Sequence, residues 1–207
     1  MYTNLMFRAM FFMIICSSSS LFAQKPQAEL SLAFGKPAEK EYLIQGNKRV
    51  DSRTGHSLVI YQTRSKLQRA EPEAMAQSYL WWNKDELGLT DDDLSNLKLH
   101  FVRESVVGTT IHLRQDWKGV PVQDAEVSLT VKPDLRVTMV HNFFAQNIDL
   151  ADVTPVITAA RARAITIDYL DARGRLTGET QELVILPLED EARLAYRVRL
   201  DCFAPVG

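Results

Sequence analysis

The sequence predicts an α+β protein of two small units, each a helix packed on an antiparallel β-sheet. Three observations lead there. Apolar residues alternate with polar ones in short runs between residues 97 and 139, an unbroken helical stretch precedes those runs, and a helix–strand–strand order follows residue 154. Composition agrees: with 46% hydrophobic residues, nine Gly, eight Pro and two Cys, the chain can build a core and is not collagen-like, disulfide-framed or largely disordered. A net charge of −2, from 24 Lys+Arg against 26 Asp+Glu, lacks the basic excess of a nucleic-acid binder.

Residues 1–23 read as an export signal. Arg8 and the free amine supply positive charge, residues 9–16 form an apolar stretch too short to span a bilayer, and a serine run leads to Ala23, which suits the position before cleavage. Cys16 offers a second reading, as a lipoprotein anchor, against which Ile15 is larger than the residue usually found before a lipidated cysteine. The chain is accordingly expected to be secreted or held in the periplasm or cell envelope, with no transmembrane segment. Cleavage leaves Cys202 alone, so no disulfide forms within the mature chain. Cys202 continues the alternating set Leu194, Tyr196, Val198 and Leu200 and reads as a buried strand position rather than a nucleophile.

Residues 24–70 form a polar N-terminal extension in which residues 41–44 and 57–62 have β character, with turn chemistry at residues 51–55, so a hairpin is expected. A first unit spans residues 71–150. Pro72 fits a first helical turn, residues 73–87 contain no Gly or Pro, and Gly88 suits the C-terminus. On a helical wheel Ala76, Leu80 and Leu87 share one side, flanked by Met75, Tyr79 and Trp82. Trp81 and Trp82 lie about 100° apart, so one of them is expected at a rim, either contacting a partner or half-buried under the preceding loop. Thr90 followed by Asp91, Asp92 and Asp93 lacks the glycine and closing glutamate of a calcium loop and reads as a helix N-cap.

Four strands follow. Leu97, Leu99 and Phe101 alternate with Lys98 and His100; Ile111 and Leu113 with His112 and Arg114; Val127, Leu129 and Val131 with Ser128 and Thr130; Leu135, Val137 and Met139 with Arg136 and Thr138. Short connections make them an antiparallel meander with one buried face, which the helix at 73–87 covers. The same alternation puts His100 and His112 on the polar face, where they can stand opposite each other. A second unit spans residues 151–207, with a helix over 158–170 and a hairpin pairing residues 182–186 with 193–203.

No residue pattern speaks for catalysis. His56, His100, His112 and His141 form no H-E-x-x-H, and there is no C-x-x-C, phosphate-binding glycine loop or G-x-S-x-G. The expectation is a chain with no catalytic, cofactor or metal residue of its own.

One stretch carries a resemblance. Residues 111–122, IHLRQDWKGVPV, followed by Ala125, Glu126 and Val127, are similar to the h-x-x-x-Q-x-x-x-G-h-x-V core of the FTP domain, the propeptide of fungalysin and thermolysin precursors. Leu87-Gly88-Leu89-Thr90 upstream agrees with it. Thr154, Pro155, Ile157, Ala160 and Ala164, with the L-A-Y-x-V run at 194–198, resemble a PepSY-like second half. The resemblance implies a cystatin-like propeptide layout whose motif residues are Gln115, Gly119, Val120, Pro121 and Val122. Gln115 shares a face with Ile111 and Leu113, so its amide must be satisfied internally, by backbone groups at the turn. Gly119 permits a positive φ, and Pro121, lacking an N–H, fits an edge or bulge.

The family's role is to accompany a zinc metalloprotease through folding and to block its cleft, so the implied partner is a metalloprotease catalytic domain, acting in cis or trans. Trp81, Trp82 and Trp117 are the candidate contacts. Zinc would belong to that partner. The sequence ends at Gly207 without the catalytic domain or the end of the PepSY-like sheet. Three expectations follow: an inhibitor and folding chaperone, the front of a longer secreted metallopeptidase precursor, or a non-catalytic binding module of the cell envelope.

Overall fold

A computed structural model describes residues 12–17, 29–33, 42–63, 65–170, 176–188 and 191–202. In chain order the elements are β1 (Phe12–Ser17), β2 (Glu29–Ala33), β3 (Tyr42–Gln45), β4 (Lys48–Asp51), β5 (Ser57–Tyr61), α1 (Pro72–Leu87), α2 (Asp91–Ser95), β6 (Leu97–Ser105), β7 (Gly108–Trp117), β8 (Val120–Val131), β9 (Val137–Asn142), α3 (Ala159–Tyr169), β10 (Leu176–Pro187) and β11 (Ala192–Cys202).

This corrects the fold class. The chain is mainly β, with eleven strands and three helices among the described residues, and not an α+β pair of small helix-on-sheet units. The reason lies in segments whose strand character is weak in sequence. Residues 42–51 carry exposed apolar and charged residues without a clean alternation, yet they pair as strands because β5 docks on β9 and offers its other edge to β4. Residues 12–17, within the stretch read as an export signal, form β1; their side chains and the cleavage position near Ala23 lie outside the described residues.

The contacts divide the chain into two compact units, Glu39–Ile148 and the remainder. In Glu39–Ile148 seven antiparallel strands run in the order β6-β7-β8-β9-β5-β4-β3. One face of this sheet forms the core: Ile60, Ile111, Leu129 and Val140 pack with Ala76, Leu80 and Leu87 of α1, and with Leu94, Leu97 and Phe144. Pro72 starts α1, and Gly88 ends it at φ 67°, where the Leu89 N–H returns to the Lys84 carbonyl at 2.8 Å. A Cβ on Gly88 would stand 2.1 Å from the His56 ring, so that position requires glycine both for its backbone angle and for space. Thr90 caps α2 in a reciprocal capping box with Asp93, in agreement with the N-cap reading of that acidic run.

The other unit orders its strands β2-β1-β11-β10, all antiparallel. The hairpin expected near 182–203 forms, with Leu183 opposite Tyr196. Tyr196, Val198 and Leu200 of β11 pack against Ala162 of α3, whose N-terminus is capped by the Thr158 hydroxyl. The side chain of Cys202, expected as a buried strand residue, lies outside those described.

Candidate functional site

Gln115, Gly119, Val120, Pro121 and Val122 cluster at one end of the β7–β8 hairpin. Gln115 continues the inward set of Ile111 and Leu113 on β7, opposite a register shift at which residues 122–125 of β8 intervene between the partners of Arg114 and Asp116. It is fully buried, and its amide closes a two-bond ring with one backbone residue: Nε2 donates to the Ala145 carbonyl at 3.0 Å, and Oε1 accepts from the Ala145 N–H at 2.8 Å. The internal partner is therefore the segment after β9 and not the hairpin turn. Lys118 and Gly119, at φ 49° and 81°, make the two-residue turn that places Trp117 opposite Val120. Val120 and Val122 are buried, and Pro121 faces Asp116 beside the bulge.

A second amide works the same way. The buried Asn142 donates to the carbonyls of Ser57 and Leu87 and accepts the Phe144 N–H, joining β5, the end of α1 and the post-β9 segment. Gln146 adds a bond to the Gly88 carbonyl. The segment 142–148 is thus strapped across the unit by side-chain amides, which local patterning cannot reveal because the partners are distant in sequence.

The tryptophans divide into two places. Trp81 is 52% exposed and Trp82 75% exposed, so both stand in solvent, where only one was expected at a rim; their rings shield each other edge-on at 4.7 Å. Trp81 borders an open groove of about 570 Å³ lined also by Glu73, Gln77, Asp91 and Lys98. Lys84 bridges Asp91 at 2.6 Å and lies 5.9 Å from the Trp81 ring centre. Trp117 is half-buried at the end of β7, with Lys118 Nζ 5.9 Å from its ring centre.

The other notable surface is the sheet face opposite α1. The strand registers place Phe101, His112, Ser128, His141, Val59, Arg49 and Ile44 in one row across all seven strands. A bulge between Leu99 and Phe101 reverses the expected parity of β6: Phe101, and not His100, stands opposite His112, and its ring stacks on the imidazole at 4.1 Å. Phe101 is accordingly exposed; Leu99, still opposite Leu113 but on the edge strand, is exposed as well, and of the three apolar residues expected inside only Leu97 is buried. His112 Nδ1 lies 3.7 Å from Glu126 Oε1. The His141 ring meets Phe143 edge-on, and burial holds its imidazole below the usual range; Glu126 opposes this shift, while His112 and Arg49 add to it. Arg49 lies 5.0 Å from the Tyr42 ring centre and 5.8 Å from that of Tyr61. Phe101, Phe143 and Tyr42 are exposed, so this face presents rings beside the Arg49 guanidinium and two imidazoles. Alternation alone put His112 on this polar face; the rest needed the register.

No group of three or more His, Cys, Asp or Glu placed to hold a metal occurs among the described residues, and no helix there is long and apolar enough to cross a membrane. No family model and no curated protein matches this chain.

Proposed function

We propose that the chain is an exported propeptide-like module that docks on a zinc metalloprotease catalytic domain, assists its folding and blocks its cleft. The observation that carries this reading is the sheet face opposite α1, where exposed Phe101, Phe143 and Tyr42 accompany Arg49, His112 and His141 in one rigid array. Aromatic side chains, with two rotatable torsions, lose little conformational entropy on association, and aromatic and arginine residues are among the types that dominate interface energies. The resemblance of residues 111–122 to the FTP core supplies the class of partner. A module that binds only the folded protease stabilises it by mass action, which is how inhibition and assisted folding come from one surface.

The test is co-refolding. A thermolysin-type catalytic domain is diluted from denaturant with increasing amounts of residues 24–207, and both recovered fold and peptidase activity are followed. The reading expects higher recovery of folded enzyme together with saturable inhibition. No effect on either at micromolar concentration would favour a cell-envelope binding module that has no protease partner.

A further inference from the structure

β6 is an edge strand: it pairs with β7 on one side and, among the described residues, with no strand on the other. Such an edge presents a row of backbone N–H and C=O groups to any extended chain. Its first part is covered by α1, since Glu73 Oε1 accepts the Leu99 N–H at 3.3 Å and Gln77 Nε2 donates to the Leu97 carbonyl at 3.1 Å. Both bonds lie before the bulge that follows Leu99; beyond it, among the described residues, no α1 side chain bonds the edge of residues 101–105. The side chains select which chain can add there. Lys98 stands opposite Arg114, Phe101 opposite His112 and Arg103 opposite Thr110, so all three lie on the sheet face away from α1. Lys98 and Arg103 are exposed, and among the described residues neither has an ion-pair partner. The neighbouring acids are engaged on β7 and β8: Asp116 holds Arg114 at 2.9 Å, and Glu126, in register with Arg114, lies 3.7 Å from His112. Glu104, the one acid of the uncovered stretch, is opposite Thr109 and therefore on the other face.

We propose that the free edge of β6 takes an added strand from an extended acidic segment of another protein. The backbone of that segment bonds to the edge beyond the bulge, and its alternate carboxylates meet Lys98 and Arg103 on either side of the exposed Phe101 ring. Charge decides the occupant. Two copies of this chain paired edge to edge would bring Lys98 and Arg103 of one against those of the other, and cations on an edge strand oppose self-pairing, whereas an acidic strand neutralises them. The site shares Phe101 with the face proposed to dock on a protease, and it does not require that partner.

The experiment titrates the isotope-labelled full chain by NMR with an end-blocked peptide of about seven residues, an ordinary strand length, in which Glu alternates with Val. Two control peptides accompany it: one with Lys in place of Glu, and the acidic peptide with every backbone nitrogen methylated, which keeps the charges and loses the donors. Saturable amide shifts centred on residues 101–105 are expected with the acidic peptide. Both controls, and the acidic peptide on Arg103→Glu, are expected to bind at least about tenfold more weakly. Because the controls leave the protein unaltered, the result does not depend on how the variant folds. Equal binding of the methylated peptide would reduce the contact to ion pairing and overturn strand addition. Equal binding of the Lys peptide would overturn the acidic partner. An absence of shifts at concentrations up to about 1 mM, or self-association through β6 in its place, overturns the proposal as a whole.

Discussion

Gln115 illustrates how much a single buried amide can hold. Truncation to Ala removes both partners of the Ala145 backbone and leaves an N–H and a C=O inside the unit, so Gln115→Ala is expected to cost about 2–4 kcal/mol. Urea unfolding measures that loss. Gln115→Glu keeps the size and the acceptor but cannot donate to the Ala145 carbonyl when ionised, so it should also destabilise, more at neutral pH than in mild acid. Gly88 gives a different kind of test. Gly88→Ala meets both a left-handed backbone and the His56 ring, and should cost more than the roughly 1 kcal/mol of the backbone angle alone. Adding His56→Ala should recover the steric part only, and a double-mutant cycle by chemical denaturation separates the two. Tyr79, whose phenol is pushed up to about 12 mainly by burial, should remain un-ionised in alkaline solution well past the ordinary value of 10. Since the folded value is the higher, its contribution to stability is complete below pH 10 and is lost as pH rises from there toward 12. Ultraviolet difference titration at the tyrosinate band follows it directly.

Among the elements, those with a strong local period were readable in the sequence. α1 shows its apolar stripe, its Pro72 start and its Gly88 stop, and the structure places its ends at Pro72 and Leu87. β7 and β8 show themselves by alternation, whereas β9 departs from the set expected for it: Leu135 precedes the strand at φ 68°, and Val140 rather than Met139 joins Val137 in the core. What the sequence conceals is any feature that breaks periodicity or depends on a distant partner. The bulge after Leu99 inverts β6 from that point, so Phe101 turns from an expected core residue into a surface ring on His112. β3 and β4 have their form imposed by the neighbouring edge of β5 rather than by their own patterning. The α2 cap is local and was legible: Thr90→Ala should cost about 1 kcal/mol, since it removes one half of the capping box while leaving the buried Leu94 in place. Thermal unfolding monitored by circular dichroism is sufficient to detect it.

For the chain as a whole, the class assigned from sequence underestimated the strands because segment 12–17 was read within a leader and because 42–61, expected to hold one hairpin, holds three strands. At residues 111–122 the structure has Gln115 inward, Gly119 at positive φ and Pro121 next to a bulge, all features of residue type and period, while the Ala145 partner of Gln115 is not. The sheet face opposite α1 was only partly legible, because the row from Phe101 to Ile44 is assembled from seven strands whose order no local pattern specifies. That face makes a distinct prediction for the proposed function. Phe101→Ala combined with Phe143→Ala should leave stability within about 1 kcal/mol, since both rings are substantially exposed, yet weaken protease inhibition by at least about tenfold. Inhibition titrations together with urea unfolding read the two effects separately.

Ala145 sits in a stretch that is neither helix nor strand, where amide protons ordinarily exchange with solvent quickly. Its N–H is nevertheless held by a buried side chain 30 positions earlier in the chain. Release of that proton therefore requires the end of β7 and the strap over the core to part together. In deuterium exchange Ala145 should behave as one of the slow core amides, a reporter of global opening placed within an irregular segment.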